Sequence, residues 1–463
     1  MDARRPNRRH AVPVAAAGSR NGIAALHACR WCRRIRRSRA HCHHPQRLNC
    51  SGGARHDTPS HWFAHRNARS RTDTTSCRRR SSGDSTVKGT PLNLEKLRIL
   101  IVGAGVAGLA LGRALRRCGC FPDIIERKTD WGDVGTGMYL PGNALRALRS
   151  LELDIDVAKQ GAQIETQRFC DHRGKLLSEI NLGSVWNETG PCIAAHRADL
   201  HHTLRNGKDA PPIRMGVTLV SLDQAANSTE AHLSDGARET YDLVVGADGI
   251  GSSVRRLVFG DAVLRPLRQW GWRFVIPCPP QVTTWSVLMS RKSACLTMPI
   301  GGGRAYCYVD LMGTESPATS EDRLQEVLAD FAGPAVAVRD ALEGSVEIHA
   351  AAIEEVVLDS WSHGRALLIG DAAHAMSPNM AQGAAMAVED AIVLAEFLSE
   401  QPSIETALSA YEARRRPRVG WVQAMTHRRD RIRQLHPMLR NGLLRSFGHR
   451  VYRSNYRLLL AEP

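Results

Sequence analysis

The stretch LRILIVGAGVAGLALGRAL, residues 97–115, decides the fold. Residues 97–102 are short, β-branched and almost continuously apolar, the pattern of a strand buried on both faces of a parallel sheet. The run then meets three glycines in a G-x-G-x-x-G, and apolar residues resume at helical spacing through Leu109, Leu111 and Leu115. Gly103 permits a tight turn. Gly105 leaves the backbone open to a pyrophosphate, and Gly108 lets the coming helix close on the strand. Val106 and Ala107 lie between them, where free N–H groups and the positive end of the helix dipole meet phosphate.

A second strand, DIIE, spans Asp123–Glu126. Glu126 ends it about 20 residues after the glycines, where a carboxylate accepts hydrogen bonds from adenosine ribose hydroxyls. Arg127 follows directly. An acid at this place disfavours a 2′-phosphate, so the unit predicts an ADP-containing dinucleotide.

The chain has 463 residues and a net charge of +16. Residues 1–90 hold 19 Arg and one Lys against four Asp, and the remainder holds 42 basic and 42 acidic residues. The folded body is therefore neutral, and no nucleic-acid partner is expected for it. High charge with little to bury predicts a disordered basic tail over 1–90. Cys29 and Cys32 form a C-x-x-C beside His41, Cys42, His43 and His44, but no second well-spaced pair follows, and no metal site is expected. No Met occurs between Met1 and Met138, and ordered patterning begins near Val87. The reading therefore expects the working protein to start near residue 87. The longest uncharged apolar stretch is too short for a membrane span, which needs about 20 residues. The body cysteines are scattered without a disulfide-like framework, so a cytoplasmic protein is expected; it is expected to be a monomer or homodimer.

Further motifs follow. GTGMYLPGNALRAL, residues 135–148, again places glycines where backbone must approach something closely. Arg197 stands just before a helical pattern with Leu200 and Leu204 on one face. An apolar strand at 243–245 runs into Gly246-Ala247-Asp248-Gly249, with Ser252 and Arg255 beyond. Another strand, 366–369, ends at Gly370-Asp371, where a carboxylate suits ribityl hydroxyls. After Pro378, the residues Gln382, Gly383 and Ala384 open a long apolar helix whose N-terminus suits negative charge on a reduced flavin ring.

In this order the residues resemble the class A, single-component FAD-dependent aromatic hydroxylases of the salicylate, 6-hydroxynicotinate and p-hydroxybenzoate hydroxylase type. The likeness spans about 97–425 and rests on GAGVAG, Glu126, Arg197, DGIGSSVR, and GDAAHAMSPNMAQG with VEDA. It implies FAD held by Gly103, Gly105, Gly108, Glu126, Arg197 and Asp371. It implies a dual role for Asp248, Gly249 and Arg255, touching FAD and helping NAD(P)H dock. It further implies that NAD(P)H reduces FAD, that O2 adds at flavin C4a, and that the hydroperoxide hydroxylates a small aromatic substrate. Some relatives of the 6-hydroxynicotinate type carry a His in the segment where this chain has Tyr139, which makes Tyr139 a candidate to contact substrate and a candidate catalytic residue. His374 and Pro378 are expected near the ring by sequence neighbourhood.

The architecture expected is α/β. A Rossmann-like FAD-binding domain (95–170, 190–262, 355–400) is interleaved with a mostly antiparallel β-sheet substrate domain (171–189, 263–354). C-terminal helices over 401–463 carry a solvated basic face. Trp270, Trp272, Tyr306 and Tyr308 are the aromatic candidates for lining a flat substrate's cavity. Other flavoproteins of the same fold remain open: a quinone-pathway hydroxylase, a halogenase or a polyprenyl reductase. So does a flavin sensor whose basic tail binds metal or nucleic acid.

Overall fold

The computed structural model describes residues 90–132, 135–260, 264–313, 321–342, 344 and 346–463. The basic stretch through residue 89, with its expected disorder, its Cys29/Cys32 pair and the expected start near Val87, lies outside the described residues.

The first strand, Ile99–Val102, is buried at all four residues. It lies inside a six-stranded sheet of order Ser362–His363, Ala366–Leu368, Leu243–Gly246, Ile99–Val102, Asp123–Glu126, Arg214–Met215. Its two neighbours run parallel to it, and only Ser362–His363 is antiparallel to its partner. Helix Val106–Arg117 packs against the long helix Gly383–Glu400, so the first apolar run of the chain meets one almost three hundred residues later. Such a sheet, covered by helices, explains the continuous apolar pattern of its strands.

A seven-stranded sheet has the order His349–Glu355, Arg265–Pro277, Arg304–Met312, Ser293–Pro299, Trp285–Met289, Thr166–Asp171, Leu176–Asn181. All its pairs are antiparallel except that of Trp285–Met289 with Thr166–Asp171. The expected boundary at residue 171 is corrected here. Thr166–Asp171 belongs wholly to this sheet, because its backbone hydrogen bonds go to Trp285–Met289 and to Leu176–Asn181.

The two faces of this sheet do different work. Arg273 stands opposite Tyr308, and Trp272 stands opposite Val309. Residues directly opposite share a face, so Trp270 and Trp272 point the other way from Tyr306 and Tyr308. Trp272 is fully buried in a second apolar core with Phe274, Leu324, Leu328 and Val338. Trp270 packs at the edge of that core. The expectation that these two tryptophans line the substrate cavity is overturned by this pairing register.

Helices Ile404–Gln434 and Pro437–Tyr456 form a C-terminal hairpin. Its basic residues are not all solvated, as the sequence pattern suggested. Arg415, Arg418, Arg433 and Arg440 are buried. No helix among the described residues is long and apolar enough to cross a membrane. All seven described cysteines are free.

Candidate active site

The turn after the first strand is built by contact as much as by conformation. Gly103 sits at φ +102°, and a Cβ there would fall 2.6 Å from the Ala247 carbonyl oxygen. A Cβ on Gly108 would fall 1.9 Å from the Gly103 carbonyl oxygen. Gly105 differs: a Cβ there meets nothing within 4 Å. The first and third glycines thus let protein pack on protein, and the second faces open space.

That space is a cavity of about 1040 Å³. Ala104, Gly105, Glu126, Arg127, Arg197, Asp371, Pro378, Gln382, Gly383 and Ala384 line one part of it. Glu126 Oε2 accepts from the Ala104 N–H at 2.9 Å, and its Oε1 accepts from the Lys128 N–H at 3.1 Å. The carboxylate is therefore fixed at the mouth of the glycine turn. Asp371 arrives through Gly370, whose φ of +59° lets the chain turn while its Cα packs on Ala107.

The glycines at 135 and 137 do imply close approach, and the partners are side chains of this chain. A Cβ on Gly137 would lie 2.2 Å from Tyr306 Cβ, and one on Gly135 would lie 2.8 Å from the His196 ring.

Several predicted residues stand behind the wall. The Asp248 carboxylate is spent on its own helix, accepting from the Ser252 hydroxyl at 2.5 Å, the Ser253 N–H at 2.6 Å and the Val254 N–H at 3.2 Å. Arg255 is buried and donates to the carbonyls of Ala372 (2.9 Å) and Ile250 (2.5 Å). It ties the Asp248-Gly249 turn to the Gly370-Asp371 turn without reaching the cavity. Gly103, Val106, Ala107, Gly108, Gly249 and Gly370 shape backbone and do not line the cavity. His374 is displaced from the expected position beside the ring. It is buried, faces a separate hollow beside Trp361, and holds Asp390 through Nε2 at 2.6 Å.

Asp390 and Glu389, the charged pair of VEDA, anchor a buried ion cluster. Asp390 accepts from the Gly370 N–H at 3.0 Å and from Arg415 Nε at 2.8 Å. Glu389 accepts from Arg415 at 2.7 Å, from Arg418 at 2.8 Å and from Asn143 at 3.0 Å. Burial alone would raise the Asp390 carboxyl, but His374 and Arg415 hold it down at about 2. Asn143 Nδ2 also donates to Gln382 Oε1 at 3.0 Å, joining the cluster to the turn before the long helix.

The other part of the cavity is walled by the seven-stranded sheet and the C-terminal hairpin. Tyr139, Phe169, Trp285, Val287, Met289, Leu296, Met298 and Tyr306 give it apolar walls, with Leu444 and Val451 from the hairpin. Tyr139 stacks on Trp285 at 4.3 Å between ring centroids. Burial pushes the phenols of Tyr139 and Tyr308 well above their usual range. Two polar groups stand out in this wall. Gln167 is fully buried, and both its amide atoms lack a hydrogen-bond partner. Tyr308 Oη is buried and likewise has no hydrogen-bond partner.

Sequence reasoning missed Gln167, because a glutamine in a half-buried strand reads as an outward residue. It also missed Asp430 and Arg433. Arg433 forms a bidentate pair with the buried Asp310. Asp430 lines the cavity and accepts from the Asn379 amide. Burial pushes its carboxyl up to about 6; Arg433 opposes the rise and Asp310 adds to it.

The residues fit FAD. A glycine turn open on one side, a fixed carboxylate at the end of the second strand, Arg197, Asp371 and the unblocked N-terminus of Gly383–Glu400 share one wall. The profile of the FAD binding domain family matches residues 96–426. The chain belongs to the family of FAD-dependent aromatic hydroxylases. As a member of that family it is an FAD-dependent monooxygenase. It is 34% identical over 361 residues to the 2-heptyl-3-hydroxy-4(1H)-quinolone synthase of Pseudomonas aeruginosa, covering 75% of this chain and 94% of that protein. It is 32% identical to the aurachin C monooxygenase/isomerase of Stigmatella aurantiaca, covering 73% and 90%. Klebsiella pneumoniae HpxO complexed with FAD and uric acid shares the fold, with a TM-score of 0.72 and 23% identity over 79% of this chain and 97% of that one.

Proposed function

We propose that the protein hydroxylates an electron-rich heteroaromatic ring bearing a ring N–H or carbonyl and an apolar substituent, with NAD(P)H and O2 as co-substrates. The observation that carries this reading is Gln167. A buried amide with neither atom paired costs about 1–3 kcal/mol per group, and the cavity wall around it is apolar. A ligand that presents an acceptor or donor to this amide removes the cost, and an apolar substituent fills the space beside Phe169, Trp285 and Met289. Two relatives with quinolone and aurachin in their names agree with such a ring.

FAD, when bound and reduced, supplies the activated oxygen for the transfer. Gly105, Glu126, Arg197 and Asp371 would hold its dinucleotide and ribityl parts, and the N-terminus of Gly383–Glu400 would face the ring. The chain's own work is to orient the substrate and exclude water. Tyr139, Trp285 and Tyr306 form a dry aromatic wall. Tyr308 Oη and the Gln167 amide fix the polar edge of the ring. Asp430, a cavity-lining carboxyl that burial pushes up to about 6, would accept or return a proton at the substrate's polar edge. A second reading, a carboxylate-bearing substrate of the salicylate or hydroxynicotinate kind, is favoured by Arg273, a cation on the cavity wall.

The test is a product assay on the flavin-loaded enzyme. 4-Quinolones with short alkyl chains, hydroxynicotinate and salicylate are compared for accelerated NAD(P)H oxidation with a hydroxylated product. Gln167→Leu should raise KM for the quinolone about tenfold or more, as expected for a lost hydrogen bond to a buried partner, and leave FAD content unchanged. Turnover of the carboxylates alone, or an unchanged KM in the variant, would overturn the heteroaromatic reading.

A further inference from the structure

The C-terminal hairpin has a face that the active site does not use. From residue 431 to 461 the chain holds seven arginines and no acidic residue. The inner face of helix Pro437–Tyr456 closes the cavity through Leu444, Gly448 and Tyr452. Its outer face is divided along its length. At the hairpin tip, Leu435, Met438 and Leu439 are 40%, 79% and 67% exposed. Further along the same face come Arg450, Arg453 and Arg457, all exposed, at helical spacing from Met438 and Leu439.

Two β turns extend this surface. Arg440 donates to the carbonyls of Met289 and Ser290, which fixes the tip beside the turn that carries Arg291 and Lys292. Met289 is paired with Asp171 in the neighbouring strand, so the next turn, carrying Arg173 and Lys175, opens at the same end of the sheet. The Asp171 carboxylate is occupied inside that turn by the N–H groups of Arg173 and Lys175. The acid-bearing helix Glu321–Ala329 lies on the opposite face of the sheet, in the apolar core that holds Trp272 and Phe274.

An apolar tip flanked by cations, with no acid between residues 431 and 461, is complementary to a surface with a hydrocarbon interior and negative head groups. We infer that the hairpin tip and its two flanking turns dock the protein on an anionic lipid bilayer. Leu435, Met438 and Leu439 enter the interface while the arginines lie among the phosphates. The inference stands apart from the substrate proposal. Its consequence is that the wall formed by Met289 and Arg440 lies next to the lipid, where an apolar substrate partitions.

The experiment is flotation of the full-length, flavin-loaded protein with phosphatidylcholine vesicles, with and without phosphatidylglycerol. The parent should bind the anionic vesicles, release them at raised salt, and ignore the neutral ones. Met438→Ser/Leu439→Ser should weaken partition about tenfold or more. Arg450→Gln/Arg453→Gln should weaken it by a similar factor, at about fivefold per arginine. Flavin absorbance should be unchanged in both variants. Because residues 1–90 carry the excess charge in every protein compared, anionic binding that survives both variants belongs to that stretch and overturns the inference. Absent or salt-insensitive binding overturns it as well. So does a dimer that Met438→Ser/Leu439→Ser dissociates while neither protein floats, because the face would then bind a second copy.

Discussion

Alanine at each of the three loop glycines should separate folding from cofactor binding. At Gly108 the added methyl would stand 1.9 Å from the Gly103 carbonyl oxygen, a backbone atom that cannot swing away. The helix must lift off the central strand by more than an ångström. That belongs at the upper end of the roughly 1–3 kcal/mol cost of overpacking, and the gain of about 1 kcal/mol in helix propensity does not cancel it. At Gly103 the methyl would meet the Ala247 oxygen at 2.6 Å and a backbone at φ +102°, so two costs add. At Gly105 it meets nothing within 4 Å, and the backbone there is extended at φ −75°. Flavin-stripped Gly105→Ala should therefore unfold within about 0.5 kcal/mol of the parent, a small N-cap loss balancing a small gain against the unfolded chain. Its FAD affinity should fall at least about tenfold, since the methyl takes the place of the pyrophosphate. Urea unfolding of the stripped proteins followed by circular dichroism, and FAD titration by flavin fluorescence, give the two readouts. The reasoning is refuted if Gly105→Ala destabilises the stripped protein as Gly108→Ala does, or if it binds FAD as the parent does.

Three other substitutions probe the surroundings. Arg415→Met leaves Asp390 and Glu389 buried with one of their two cationic partners each gone, and should cost about 3–5 kcal/mol of unfolding free energy in urea. The raised Asp430 carboxyl binds protons in the fold that the unfolded chain has released, so its contribution to stability falls as pH rises from about 4 to about 6. Asp430→Asn keeps an acceptor for Asn379 and removes that loss. It should gain at most about 3 kcal/mol above pH 6 and nothing near pH 4, and equal gains at both would disprove the assignment. Ala381 holds φ +50° in the turn before Gln382; Ala381→Gly should raise the midpoint by about 1 kcal/mol, and a lowered midpoint would show that the left-handed turn is not strained.

The six-stranded sheet was legible because its strands are buried on both faces and end in turn residues. That pattern is local, so residues 97–108, 243–249 and 366–371 could be read from spacing alone. The faces of the other sheet were not. Whether Trp272 or Arg273 looks into the cavity depends on which residue stands opposite Tyr308, and two further strands, Trp285–Met289 and Ser293–Pro299, separate the paired strands in sequence. Gln167 stands between Thr166 and Arg168, so its segment reads as polar, and only the closing hairpin turns its surroundings into an interior. Arg415, Arg418 and Arg433 read as surface charge because their carboxylate partners lie up to 123 residues away. Motifs carried by backbone were visible in the chain; side chains whose meaning comes from a distant partner were not.

The link from Gly370 through Asp390 to Arg415 has a consequence for how this chain can be divided. The turn that presents Asp371 is held by a carboxylate that a residue beyond 404 neutralises. A fragment ending at the long apolar helix would keep every glycine signature and yet leave two negative charges stranded in its interior. The last sixty residues are therefore the keystone of the nucleotide half, and a graft or truncation that spares the motifs but discards the hairpin would inherit the signature without the fold.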